Sequence, residues 1–127
     1  MTSQGTAYGR FQRAIERGHL VHAELAAREI GWLNLGDALA LTVLIAKEGE
    51  SRYGRAAARW HARFAAEAKG LESWEPLLVL AALAALPHDE EIALPLIQRL
   101  ARRHGVGVEG SSRERETSGV RSVRYSP

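Results

Sequence analysis

Ten consecutive apolar residues, Leu77 to Leu86, leave no polar face at any rotation about a helix axis. Such a segment is expected to be enclosed by other elements, so the rest of the chain is read as its cover. Leu and Ala with a single Val favour a helix over a strand. Ser73 is placed to cap it, Glu75 and Pro76 suit its first turn, and Pro87 ends it. Ten helical residues rise about 15 Å, roughly half of a bilayer's hydrocarbon core, so no membrane span is expected. Leu80, at the middle of the run, is predicted to lie in the core, where Leu80→Asp would unfold the protein.

Five further helices are predicted around it. Tyr8, Phe11 and Ile15 fall on one face of a helix from Ala7 that stops at Gly18; a second runs from Leu20 to Ile30, with Val21 and Leu25 on its inner face. Asn34 and Asp37 form a capping pair before the apolar run Ala38 to Ala46, in which Thr42 is the one polar side chain. Ser51 opens the longest helix, reaching Lys69, with Tyr53, Trp60 and Phe64 inward. Asp89 caps the sixth, which carries Pro95 and is expected to kink there after an irregular first turn. A shift of 39 residues superposes Gly31 on Gly70, Asn34 on Ser73 and Leu39 on Leu78, a weak internal repeat of two helical hairpins. The tetratricopeptide signature does not fit it.

At 127 residues the chain is one domain with enough apolar surface to fold unaided, and its lack of cysteine removes disulfides, thiolate metal sites and a Cys nucleophile. The pI of about 9.4 overstates its basicity: 17 Lys+Arg against 15 Asp+Glu give a net charge of only +2. No stretch near Met1 combines a basic region, an apolar segment and a cleavage site, so a cytoplasmic location is expected.

Arginine carries the strongest surface signal. Arg52, Arg55, Arg59 and Arg63 recur at spacings of 3, 4 and 4, lining one edge of the fourth helix, where a row of guanidinium forks suits an acidic partner or phosphates. Arg10, Arg13 and Arg17 repeat the theme on the first helix, and Arg99, Arg102 and Arg103 on the last. A DNA-binding helix-turn-helix fits poorly: with its small residue at Ala46 it needs Gly at position 50, where the chain has Glu50 after Gly49. His19 and His22, with Glu16 a turn earlier, lack a further spacing of diagnostic quality for a metal; His61, His88 and His104 read as surface or cap side chains. There is no phosphate loop after a strand, no nucleophile elbow and no isolated acidic pair in an apolar setting, since Glu90 and Glu91 are explained by the helix dipole.

The sequence thus predicts an all-α fold: a six-helix bundle of three antiparallel helical hairpins over residues 7–104, after a flexible 1–6 and before a disordered tail, 105–127. The expected function is non-catalytic protein–protein interaction or self-association, without metal or cofactor. Arg52, Arg55, Arg59, Arg63, Trp32 and Trp74 are the expected partner-binding residues; the two tryptophans stand at helix junctions where a small fold offers little cover. Nucleic-acid binding through Arg10, Arg13, Arg17, Arg59 and Arg63 is the alternative.

Overall fold

In the computed structural model, which describes residues 6–49 and 51–107, the hydroxyl of Thr6 accepts the Gly9 N–H at 2.9 Å and starts α1 (Ala7–Arg17). Thr6 is thus a cap and not part of a loose end; residues 1–5 and the expected tail from 108 onward lie outside the described residues. Gly18, at φ 72°, ends α1 in the left-handed region, and its neighbour His19 returns its N–H to Ala14 O at 2.9 Å. The chain reverses at once into α2 (Leu20–Ile30). The Asn34 side chain accepts the Asp37 N–H at 2.7 Å and opens α3 (Leu35–Lys47) as predicted. α4 (Tyr53–Glu67), α5 (Trp74–Ala85) and α6 (Glu90–Arg103) follow, and no strand occurs among the described residues. Consecutive helices pair as three antiparallel hairpins, α1 with α2, α3 with α4 and α5 with α6; the middle hairpin joins the outer two.

Two apolar clusters result, and α3 belongs to both. Leu35, Leu39, Val43 and Ala46, on one side of α3, pack with Trp60 and Phe64 of α4, Val79 and Leu83 of α5 and Ile97 of α6. Leu44 and Ile45, on its other side, pack with Phe11, Leu20 and Ala23 of the first hairpin. The helix enclosed on nearly all sides is therefore α3, and the expectation that Leu77–Leu86 would fill that position is corrected. Only the stripe Val79, Ala82, Leu83 and Leu86 of that segment is buried, with Glu75 in the turn before it; Leu77 is 68% and Leu80 46% exposed. Among the described residues α5 packs chiefly on α4 and α6, and its outer side, with Leu77 and Leu80, stays exposed. The buried polar side chains of α3 are satisfied inside the fold: Thr42 donates to Ala38 O at 2.8 Å, and Tyr8 OH donates to Asp37 at 3.0 Å.

Val21 and Leu25 of α2, predicted inward, are also exposed; Leu20, Ala23 and Ala26 are the buried set. Two predicted caps fail as well, since neither Ser73 nor Asp89 makes a side-chain cap bond. α4 starts after Arg52, not at Ser51, and stops at Glu67, two residues short of Lys69. α6 begins directly at Glu90 and runs as continuous helix through the exposed Pro95, without the irregular first turn. Past α6, the Val106 N–H bonds to Ala101 O at 2.9 Å and Val106 is buried, so order continues beyond the predicted boundary at 104.

Candidate partner-binding groove

The spacing of Arg52, Arg55, Arg59 and Arg63 puts all four along one flank of α4, beside the buried face that holds Ala56 and Trp60. That flank is one wall of a groove of about 490 Å³. Leu33, Leu41 and Ile45 form its apolar floor together with Trp60, and α2 contributes Glu24. The Trp60 indole N–H donates to Leu35 O at 2.9 Å, which locks the floor to the start of α3.

The four arginines differ in what they already hold. Arg52 reaches across to Glu24 with both terminal nitrogens, at 2.8 and 3.3 Å, tying α4 to α2. Arg63 donates to Glu67 at 3.0 Å and to Leu33 O at 2.8 Å, and its guanidinium lies 4.9 Å from the Trp32 ring centroid. Its Nη2 is shut off from solvent without an acceptor among the described residues. Arg55 and Arg59 are exposed and engage no described side chain. The groove thus has an apolar floor, two arginines fixed at its ends and two uncommitted ones between them.

Of the junction tryptophans, Trp32 is 66% exposed and flanks the groove through Arg63; Trp74, 49% exposed, starts α5 and lines none of it. Arg10, Arg13 and Arg17 line a separate cleft of about 170 Å³ between α1 and the start of α2, so the two arginine rows share no lining residue. The α6 arginines enter neither depression; Arg103 instead approaches Glu75 at 3.6 Å. The His19 and His22 rings meet edge to face at 5.5 Å, and no three metal-ligating side chains gather among the described residues.

Glu24 and the α3 residues of the floor were not legible as site residues. A carboxylate on α2 facing an arginine row on α4 has no local sequence mark, since 28 positions separate Glu24 from Arg52. Likewise, Glu75 and His104 form a buried pair. Glu75 Oε1 accepts the Glu72 N–H at 2.8 Å, and Oε2 accepts from His104 Nε2 at 2.9 Å. The His104 Nδ1–H donates to Lys69 O at 2.8 Å. Both ring nitrogens face acceptors, an arrangement that favours the protonated ring. The Glu72 N–H first, and then His104, hold the Glu75 carboxyl below its ordinary 4.5; the bond to Glu75 raises His104 above its ordinary 6.5 against the opposing effect of burial. His104 is thus the C-cap of α6, in keeping with the surface-or-cap expectation, but its side chain turns inward as a clasp. Burial also pushes Tyr53 up to about 12, with its hydroxyl donating to Leu83 O at 2.6 Å.

Set against protein-family models, curated proteins and solved structures, the chain matches none.

Proposed function

We propose that the protein is a non-catalytic interaction module that seats an acidic, amphipathic helical segment of a partner protein in the groove between α2, α3 and α4. The observation that carries this reading is the pairing of an apolar floor with the two uncommitted arginines, Arg55 and Arg59, on one wall. A helix with leucines on one face and carboxylates beside them complements both: its leucines displace water from Leu33, Leu41 and Ile45, and its carboxylates meet the guanidinium forks. Nucleic acid is the weaker match, since apolar side chains and the Glu24 carboxylate face the groove and the second arginine row lies elsewhere.

Fluorescence anisotropy with a labelled Leu/Glu amphipathic peptide tests the proposal. Saturable binding is expected, falling with salt, and R55E/R59E should weaken it by about tenfold or more, since reversing rim charges turns attraction into repulsion. A peptide with Lys in place of Glu should not bind. No binding of the acidic peptide at low salt, binding untouched by the double reversal, or preferential displacement by a DNA or RNA duplex would each overturn the assignment.

A further inference from the structure

We infer that the cleft between α1 and the start of α2 is a receptor for a phosphate dianion, carried as a monoester or free. Arg10, Arg13 and Arg17 descend one side of α1, and the turn at Gly18 brings His19 and His22 to meet them; Ala14 is the remaining lining residue. No carboxylate lines this cleft. Glu29 holds Arg10 by an ion pair from α2, whereas Arg13 and Arg17 have no partner among the described residues. Cations repeated one turn apart repel one another along a helix, and an anion bound between Arg13 and Arg17 would relieve that repulsion.

The size of the cleft limits the ligand. About 170 Å³ lies below the roughly 300 Å³ at which pockets begin to enclose a whole small molecule, so the cleft accepts a head group whose remainder stays outside. A monoester suits it better than a diester. It carries close to two negative charges near neutral pH and three terminal oxygens, enough to engage separate guanidinium forks and an imidazole N–H. A nucleic-acid backbone offers one charge per phosphate along a continuous track, and this small cleft shares no lining residue with the other arginine row.

The test is a titration of the full chain, ¹⁵N-labelled, with inorganic phosphate and, separately, with a phosphoserine peptide, followed by amide and His side-chain shifts. Saturable changes confined to α1 and the start of α2 are expected with at least one of them. Tighter binding of the peptide assigns the ligand as a phosphorylated side chain, and equal or tighter binding of the free ion assigns it as free phosphate. R13Q/R17Q should weaken binding by about tenfold or more with an unchanged circular-dichroism spectrum. R13K/R17K, which keeps charge and helix propensity, should still lose affinity because Lys has no fork. No saturable shift, shifts that map elsewhere, full affinity in R13K/R17K, or a single-stranded oligonucleotide that binds these residues more tightly than either phosphate probe would overturn the assignment.

Discussion

Glu75 is a fully buried carboxylate that joins the Glu72 backbone, the His104 ring and, more distantly, Arg103. A buried carboxylate is tolerated only while such partners neutralise it. The two members of the clasp titrate in opposite senses. His104, raised above 6.5, contributes stability that is complete below about 6.5 and is lost as pH rises through its folded value. Glu75, lowered from 4.5, contributes stability that is complete above about 4.5 and is lost as pH falls through its folded value. The thermal advantage of the wild type over H104Q should therefore be greatest between about pH 4.5 and 6.5 and shrink on either side. Melting curves of both proteins across that range check the sign, and a gap that widens steadily toward alkaline pH would contradict it. By contrast, the exposed Arg52–Glu24 pair should show a coupling energy of only about 0.2–1 kcal/mol in a double-mutant cycle read by urea denaturation.

At the scale of the element, α5 separates hydrophobicity from burial. Leu77 and Leu80 are as apolar as Leu83, yet only Leu83 faces the core. Leu80→Asp should therefore leave a folded protein that melts within a few degrees of the wild type. Leu83→Asp should abolish the cooperative transition, because an unpaired charge there costs several kcal/mol, comparable with the whole stability. Circular dichroism of the two variants decides between the two positions. The sequence made five of the six helix starts legible to within a residue, because caps, glycine stops and apolar spacing are local signals. It did not reveal which helix is enclosed. A helix of Leu and Ala bears no polar mark to tell inside from outside, whereas α3 carries Asp37 and Thr42, whose partners, Tyr8 OH and the Ala38 carbonyl, satisfy them within the fold. Polar residues matched inside the fold look, in sequence, like residues meant for water.

For the molecule as a whole, α3 is shared by both apolar clusters, so damage there should spread to all three hairpins. Leu39→Ala is expected to cost about 2–5 kcal/mol by denaturant unfolding, with a single transition, as for a large-to-small change at a closely packed site. The two arginine clefts share no lining residue and should act independently. R13Q/R17Q should bind the acidic peptide as the wild type does, and R55E/R59E should leave the phosphate titration unchanged; running both variants through both assays checks this. The periodicity of each row was visible in the sequence. Their separation was not, because it depends on how the first hairpin docks on the second. Glu24, the carboxylate that ties α2 to α4, was hidden for the same reason. The clasp also has a consequence for processing at the C-terminal end. Proteolytic trimming that reached His104 would take the counter-ion from a carboxylate some 29 residues upstream, so damage at one extremity would be felt at the root of α5.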